Sequence, residues 1–324
     1  MRLGTVRAGG RDGSLVVVSH DGGRFVPAAP IASTLQAALD DWATVERPLR
    51  DLADRLDRRA IDGHATATAD FLAPLPRAFE WLDGSAFLSH VRLARRARGA
   101  EIPPDLTTSP LMYQGGSGVL LGPHAPLPFG HPDLGLDFEA ELAVITGDVI
   151  AGITPERAST SVRLVALIND VSLRGLVPGE LAKGFGFVQS KPATAFAPFV
   201  VTPDELGSAW RAGRVDLPVQ CQRNGHTVGR ASAGEMHFSF YDLIAHAART
   251  RSLTAGTIIG SGTIANEDPT PGVSCLVEAR MREQIVEGSP RTEYLRPGEV
   301  ISIEVHDRTG RSVFGRIEQE VFAP

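Results

Sequence analysis

Residues 137–145 read Asp137-Phe138-Glu139-Ala140-Glu141-Leu142-Ala143-Val144-Ile145, with acidic and apolar side chains in alternation at the start. Successive side chains of a β-strand point to opposite faces, so the segment predicts a strand with Asp137, Glu139 and Glu141 on one face and apolar residues towards a core. Like charges on one face repel each other, and a bound cation is the usual reason to keep them together. An amphipathic strand with a solvated acidic face is the alternative for this segment taken alone.

Two further acidic positions fit the same hypothesis. Asp170 closely follows the apolar run 164–168, which predicts a buried strand that ends near this aspartate. A turn cap is the alternative for Asp170. Asp83 precedes His90 by seven residues. If Asp83 opens a helix, His90 lies two turns further along the same face, although most histidines at such a spacing are structural.

The composition excludes several classes of protein. The chain has 324 residues, 43% of them hydrophobic, which is enough for a sizeable core and about two domains. Its net charge of −6 argues against a nucleic-acid partner. The cysteines, Cys221 and Cys275, provide neither a disulfide framework nor, alone, a zinc site. Without a signal-like apolar core or an apolar run of membrane-spanning length, the sequence predicts a soluble cytoplasmic protein that does not bind membranes.

Turn and periodicity signals predict an α+β, β-rich fold in two parts. The proline-containing segment 73–76 interrupts the periodicity, so we expect a small N-terminal domain at 1–76 and a larger domain at 77–324. In the first part, a hairpin turn at 21–23 precedes two amphipathic helices, which carry Leu35 and Leu49 on their apolar faces.

The second part is predicted to consist mainly of strands. Asn224-Gly225 indicates a hairpin, and Ser239 with Asp242 indicates a capping box that opens a helix over 240–250. Three more segments have the composition of strands: 253–259, 275–281 and 300–305.

Several short motifs occur in a fixed order from Trp81 almost to the C-terminus. They are Asp83 with His90, Met112-Tyr113-Gln114-Gly115, Asp137-Phe138-Glu139-Ala140-Glu141, Asn169-Asp170-Val171-Ser172-Leu173-Arg174, Gln189-Ser190-Lys191-Pro192, Gly260-Ser261-Gly262-Thr263-Ile264, and Glu278. In this order they resemble the fumarylacetoacetate hydrolase family, in particular its bacterial fumarylacetoacetase-like members. The resemblance implies a mixed β-roll behind a small N-terminal β-rich domain, assembled as a homodimer.

The resemblance also implies a metal site made of four carboxylates: Asp83, Glu139, Glu141 and Asp170. Hard oxygen ligands without a neighbouring cysteine favour Mg²⁺, with Mn²⁺ or Ca²⁺ as alternatives, over zinc. His90 matches the general base of the family, and Glu278 matches its carboxylate partner. The resemblance further implies two cations that meet substrate oxygens, Arg174 and Lys191, and two substrate-contacting residues, Tyr113 and Thr263.

Two features depart from the family pattern. Val177 stands where animal members have a glutamine, which places one oxyanion contact in doubt. Arg95 and Arg98 are both candidates to bind a distal carboxylate of the substrate.

The implied reaction is hydrolysis of a carbon–carbon bond in a small anionic β-diketone acid, such as fumarylacetoacetate or an acylpyruvate from aromatic catabolism. Decarboxylation of an oxaloacetate-type acid or isomerisation of an oxo-diacid remains open, because these reactions require enolate stabilisation but no activated water. A metal- or ligand-binding protein without turnover is the hypothesis of another class.

Overall fold

A computed structural model of the chain describes residues 1–127 and 131–322. Its N-terminal part contains four strands and two helices: β1 (Arg2–Val6), β2 (Ser14–Val18), β3 (Arg24–Pro27), α1 (Leu35–Asp40), α2 (Trp42–Asp57) and β4 (His64–Ala65). Strands β2 and β3 pair around Gly22, whose φ of +75° suits glycine, so the predicted hairpin is confirmed. The two predicted helices are confirmed as well, and Leu35 and Leu49 are buried in them.

The remainder of the chain is richer in strands. Its first half contains β5 (Trp81–Gly84), α3 (Leu88–Ala97), β6 (Met112–Gly115), β7 (Leu136–Asp137), β8 (Ala140–Thr146), α4 (Pro155–Ala158), β9 (Val162–Asp170), β10 (Ser172–Leu173), α5 (Val177–Lys183), β11 (Thr194–Phe196) and β12 (Phe199–Val201). Its second half contains β13 (Trp210–Arg211), β14 (Arg214–Val215), β15 (Pro218–Arg223), β16 (His226–Ser232), α6 (Phe240–Ala247), β17 (Ile258–Gly260), α7 (Leu276–Glu287), β18 (Val300–Val305) and β19 (Ile317–Glu320).

One large mixed sheet organises the molecule. Across the described ranges its strand order is β4-β3-β2-β1-β12-β9-β8-β17-β5-β6, and β11 also pairs with β9. Strand β1 pairs with β12, so residues on both sides of the predicted boundary at 73–76 belong to one sheet. A second sheet has the order β16-β15-β18-β19. This β-rich architecture confirms the predicted fold class.

The central strands β8 and β9 are buried on both faces. On β8, Leu142 and Val144 belong to one hydrophobic cluster, and Ala143 and Ile145 belong to another that includes residues of α1 and α2. The predicted apolar face of this segment therefore does face a core. The opposite face, which carries Glu141, is equally dry, so the alternative of a solvated acidic face is wrong.

The prediction of one continuous strand over 137–145 is wrong. The pairing breaks at Phe138 and Glu139, because the Glu139 N–H donates to the side chain of Asn169 (3.0 Å) and the Glu139 carbonyl accepts from the Asp170 N–H (3.0 Å). Asp137 consequently leaves the large sheet, and β7 pairs with β10 instead.

The strand predicted over 275–281 is also wrong, because these residues begin helix α7. The carboxylate of Asp137 accepts the N–H groups of Leu276 (2.7 Å) and Val277 (2.9 Å), which lie in the first turn of the helix. A buried carboxylate from a distant part of the chain thus starts this helix. The local signal for a helix was the run of helix-forming residues in α7, which ends at Gly288 with a φ of +81°.

The other local predictions have mixed outcomes. The hairpin at Asn224-Gly225 is confirmed, and both residues have positive φ. The capping box of Ser239 and Asp242 is confirmed, but α6 ends at Ala247, before the predicted end at 250. The strand at 300–305 is confirmed, whereas 253–259 contributes to a named strand only from Ile258. None of the helices in the described ranges combines the length and apolarity needed to cross a membrane.

Candidate active site

A cavity of about 380 Å³ lies where α3, α5 and the ends of β5 and β6 meet. Seven of the sequence-predicted site residues line it: Asp83, His90, Tyr113, Glu139, Arg174, Lys191 and Thr263. The other three, Glu141, Asp170 and Glu278, are buried, and each lies close to a residue that lines the cavity. The structure therefore gathers all ten predicted residues in one region, although they come from well-separated parts of the chain.

Three carboxylates converge from three strands of the large sheet. Asp83 is on β5, Glu141 is on β8, and Asp170 is the last residue of β9. Strand β17 lies between β5 and β8, and it places Gly260 opposite both Asp83 and Ala143. One oxygen from each of the three carboxylates lies within 4.8 Å of the others. The hypothesis that Asp83 opens a helix is wrong, since helix α3 begins only at Leu88.

The three-carboxylate cluster contains buried oxygen atoms without hydrogen-bond donors, and a bound cation would satisfy them. Both oxygens of Glu141 are fully buried and have no hydrogen-bond partner, which is costly unless another group satisfies them. Burial, followed by repulsion from Asp83 and Asp170, raises the pKa of Glu141 well above its usual value. Burial and Asp170 likewise raise the pKa of Asp83 to about 8. An all-oxygen donor set of this kind fits a hard divalent cation such as Mg²⁺ or Mn²⁺.

Glu139 lies outside this three-carboxylate cluster and accepts from two cationic side chains. Its Oε1 accepts from Nη2 of Arg174 (2.6 Å), and its Oε2 accepts from Nζ of Lys191. Lys191 also donates to Oδ2 of Asp170 (2.6 Å), and Arg174 also donates to Oδ2 of Asp137 (2.9 Å). Burial works to raise the pKa of Glu139, but Arg174 and Lys191 outweigh it and lower that pKa. The two cations are therefore held in place by buried anions and lie beside the cavity.

His90 and Glu278 meet across two packed helices, α3 and α7. His90 Nδ1 lies 3.8 Å from Oε2 of Glu278, which is longer than a hydrogen bond. Both atoms are buried and have no hydrogen-bond partner. The other oxygen of Glu278 accepts from Arg282, one helical turn further along α7. The two side chains are therefore neighbours at the cavity wall without a direct hydrogen bond between them.

Family models match nearly the whole chain. The model described as "Fumarylacetoacetate (FAA) hydrolase C-terminal" covers residues 80–322, and "Fumarylacetoacetase N-terminal domain 2" covers residues 1–77. The chain belongs to the fumarylacetoacetate hydrolase family. Its members include hydrolases, isomerases and tautomerases, so membership fixes the fold and leaves the reaction open.

Characterised relatives of this family differ in their chemistry. The chain is 24% identical over 267 residues to a 2,4-didehydro-3-deoxy-L-rhamnonate hydrolase of Sphingomonas sp. (strain SKA58), with 79% of this chain and 85% of the relative covered. It is 26% identical over 257 residues to the oxaloacetate tautomerase YisK of Bacillus subtilis, with 78% of this chain and 75% of the relative covered. A solved structure of maleylpyruvate hydrolase from Sphingobium sp. SYK-6, with manganese(II) and pyruvate, matches with a TM-score of 0.68 at 16% identity, covering 100% of this chain and 99% of that one.

In this member of the fumarylacetoacetate hydrolase family, the Gly260-Ser261-Gly262 turn has a clear steric reason. A Cβ at Gly260 would lie 2.4 Å from Oδ1 of Asp83, and one at Gly262 would lie 2.4 Å from the carbonyl oxygen of Gly84. Gly262 also has a φ of +74° and donates its N–H to Oδ1 of Asp83 (2.9 Å). The turn therefore lets the backbone approach and orient Asp83.

The rest of the cavity wall carries two residues that match the family pattern and three positions at which the pattern and this chain differ. Tyr113 donates its hydroxyl to Oδ2 of Asp170 (2.6 Å), and Thr263 lines the cavity nearby. Val177, the first residue of α5, lines it with an apolar side chain where animal members have an amide. Both candidate arginines, Arg95 and Arg98, reach the cavity, so the structure leaves both as candidates.

Sequence reasoning missed three residues that orient the site. Thr194 donates to Oδ1 of Asp170 (2.8 Å), and no motif marked it. Asp137 was noted as part of the acidic pattern, but its role in binding Arg174 and starting α7 was not foreseen. Arg282 stands four residues after Glu278, a spacing that brings side chains together only on a helix. Because 275–281 was predicted to be a strand, the contact between Glu278 and Arg282 was not predicted.

Proposed function

We propose that this protein is a divalent-metal-dependent hydrolase that cleaves a carbon–carbon bond in a β-diketone acid, such as an acylpyruvate or fumarylacetoacetate. One observation carries the proposal: the pair of partly buried His90 and buried Glu278 adjoins the same cavity as the three-carboxylate cluster. Hydrolysis needs both a polarised carbonyl and an activated water, and these two groups of residues are suited to supply them.

The carboxylates of Asp83, Glu141 and Asp170 would hold the cation, which we propose to be Mg²⁺ or Mn²⁺. When bound, such a cation polarises carbonyl oxygens of the substrate as a Lewis acid. Glu139 remains a proposed ligand, and in this structure its oxygens accept from Arg174 and Lys191. Thr194 and Tyr113 orient Asp170, and the Gly262 N–H orients Asp83.

His90 would take the proton from the attacking water. A carboxylate beside an imidazole fixes the orientation of the ring, and this is the role proposed for Glu278. Their separation of 3.8 Å is compatible with this role, because catalytic hydrogen bonds are often long without substrate and shorten in the reacting complex. The contact with Arg282 restrains the Glu278 carboxylate on the side away from His90.

Lys191 and Arg174 would stabilise negative charge on the tetrahedral intermediate and on the departing enolate. Both side chains are largely buried and already fixed by Glu139, so little reorganisation is needed during the reaction. Preorganised donors of this type contribute about 3–4 kcal/mol each in other enzymes.

A second candidate function is tautomerisation or decarboxylation of a small oxo-diacid such as oxaloacetate. The open contact between His90 and Glu278 favours it, because moving a proton on an enolisable acid requires no strongly activated water. The similarity to the oxaloacetate tautomerase of B. subtilis supports the same reading.

The decisive experiment compares His90→Ala with Asp83→Ala. Acylpyruvates, fumarylacetoacetate and oxaloacetate are supplied with and without Mg²⁺, and the loss of β-diketone absorbance, the cleaved acids and carbon dioxide are measured. Asp83→Ala should lose metal affinity and every activity. His90→Ala should retain the metal and lose hydrolysis by about 10²–10⁴-fold, which is the contribution of a general base.

A matched control is His226→Ala, since His226 is exposed on the β15–β16 hairpin and does not line the cavity. It should hydrolyse at the wild-type rate. If His90→Ala also does so, the water-activating pair is wrong and the tautomerase or decarboxylase candidate replaces the hydrolase. If the wild type turns over none of these substrates with any divalent cation, the result favours the hypothesis of a binding protein without turnover.

A further inference from the structure

The His90–Glu278 pair has a third neighbour, the thiol of Cys275. A ring nitrogen of His90, a carboxylate oxygen of Glu278 and Sγ of Cys275 all lie within 4.8 Å of one another. Cys275 and Glu278 are almost completely buried, and His90 is partly buried at the cavity wall. This imidazole–thiol–carboxylate cluster is separate from the three-carboxylate cluster and has a different donor chemistry.

Two of its donor atoms are free to bind a ligand. His90 Nδ1 and Glu278 Oε2 are buried atoms without a hydrogen-bond partner, and they lie 3.8 Å apart. A tetrahedral zinc ion with ordinary bond lengths separates a nitrogen from an oxygen ligand atom by about 3.3 Å, and either of them from a sulfur by about 3.5 Å. Binding such an ion would therefore draw His90 Nδ1 and Glu278 Oε2 together by about 0.5 Å, and Sγ, which lies within 4.8 Å of its partner atoms, would approach by up to about 1.3 Å.

We propose that His90, Cys275 and Glu278 form a second metal site that binds Zn²⁺, and that zinc bound there inhibits the enzyme. Three protein ligands of nitrogen, sulfur and oxygen type are typical of zinc and unsuitable for Mg²⁺. The soft donors would select zinc, while the all-oxygen carboxylate cluster selects the hard cation. The two clusters would thus bind different metals in the same protein.

Zinc binding at this site can be written as a balanced exchange of a proton for the metal at the Cys275 thiol. On binding, Zn²⁺ forms a bond to sulfur, the S–H bond breaks, and the proton leaves to solvent, as happens for coordinated thiols. The thiolate of Cys275 and the carboxylate of Glu278, which also accepts from Arg282, then offset the charge of the ion.

Inhibition follows from the involvement of His90, and this part rests on the proposed function. An imidazole whose lone pair binds zinc cannot accept a proton from water. Zinc should therefore suppress hydrolysis without displacing the cation from Asp83, Glu141 and Asp170.

The test uses the full-length protein saturated with Mg²⁺. Titration with Co²⁺ should produce a thiolate-to-cobalt charge-transfer band, and calorimetric titration with Zn²⁺ should show one further site while the bound Mg²⁺ is retained. Cys275→Ser should lose the band and should weaken Zn²⁺ binding and zinc inhibition by more than about tenfold. Its activity with Mg²⁺ alone should remain near that of the wild type, because Cys275 has no part in the proposed chemistry.

Cys221→Ser is the matched control, because Cys221 is equally buried but belongs to no metal-competent cluster of the described residues. It should behave as the wild type in both titrations. X-ray absorption of zinc in the wild-type protein, which should detect one sulfur ligand, decides the matter even if Cys275→Ser folds poorly.

Three results would overturn the site: a zinc shell of nitrogen and oxygen only, release of one Mg²⁺ per zinc bound, or unchanged zinc binding in correctly folded Cys275→Ser. The metal titrations do not depend on turnover. A cobalt–thiolate band in a protein that hydrolyses nothing would leave the zinc site standing and would remove only the proposed hydrolase function.

Discussion

At the scale of single residues, Glu141 is the strongest argument for a cation in the carboxylate cluster. Its two buried oxygens have no donor in the protein, so the folded chain bears a desolvation cost that a metal would remove. In EDTA, Glu141→Gln should therefore be at least as stable as the wild type towards urea. With Mg²⁺ at a hundred times its dissociation constant, the wild type should gain about 2.7 kcal/mol, and the variant should gain far less.

Urea unfolding with and without Mg²⁺ measures both effects. Glu287→Gln, at the exposed end of α7, is the control and should gain as much as the wild type. An equal gain in Glu141→Gln would remove this residue from the metal site.

Asp83 gives a prediction for the pH dependence of the metal-free protein. Its pKa of about 8 lies above the value of about 3.9 expected in the unfolded chain, so between these pH values the folded state holds a proton that the unfolded state has lost. In EDTA, stability should therefore fall as the pH rises from 5 to 8. Because a bound cation displaces that proton, Mg²⁺ should bind more tightly at pH 8 than at pH 6.

The urea midpoint at several pH values measures the first effect, and calorimetry at pH 6 and 8 measures the second. Asp83→Asn isolates the contribution of this group and should show a shallower fall in EDTA. A wild-type stability that rises steadily over this range would contradict the prediction.

At the scale of elements, the start of a helix could be predicted only where the residue that caps it is close in the sequence. The start of α6 was predictable, because Ser239 and Asp242 cap it from three residues apart. The start of α7 was not, because its cap, Asp137, is remote in sequence. The break after Asp137 has a similar cause, since Asn169 on β9 takes the Glu139 N–H. Local patterns contain no information about such partners.

Asp137→Ala should test this remote cap. The change leaves the first N–H groups of α7 without their acceptor and removes one of the two carboxylates that bind the largely buried guanidinium of Arg174. We expect a loss of about 3–5 kcal/mol in the free energy of unfolding, as for other buried ion pairs from which one partner is removed. Hydrolysis should also fall, because α7 carries Glu278.

The control for this prediction is Glu287→Ala, which removes an exposed ion pair with Arg291 at the end of the same helix. It should cost no more than about 1 kcal/mol in urea unfolding. If the free energy of unfolding of Asp137→Ala lies within about 1 kcal/mol of the wild-type value, the Asp137 carboxylate does not stabilise α7.

At the scale of the whole molecule, the candidate site draws on β5, α3, β8, β9 and α7, and only the fold brings them together. The apolar runs of β8 and β9 predicted buried strands, and the pattern correctly placed Asp170 at the end of one of them. Spacing alone could not predict that Asp83, Glu141 and Asp170 converge, because the order β9-β8-β17-β5 is set by long-range pairing. The order of motifs typical of the family supplied that information instead.

Assembly is the last property that belongs to this scale, and the family resemblance predicts a homodimer. Phe79 and Ile150 expose 60% and 55% of their surfaces and line the same shallow depression, beside Glu80 and Asp148, so we predict that the symmetric interface includes them. Light scattering should give a molar mass near twice the 34.5 kDa of one chain.

Phe79→Glu combined with Ile150→Glu should shift the protein towards the monomer, because two charges in each copy would be buried together. Val286→Glu, at a position exposed on α7, is the control and should leave the mass unchanged. A wild-type mass of one chain at every concentration would refute the dimer, whereas a dimer that survives the double substitution would place its interface elsewhere.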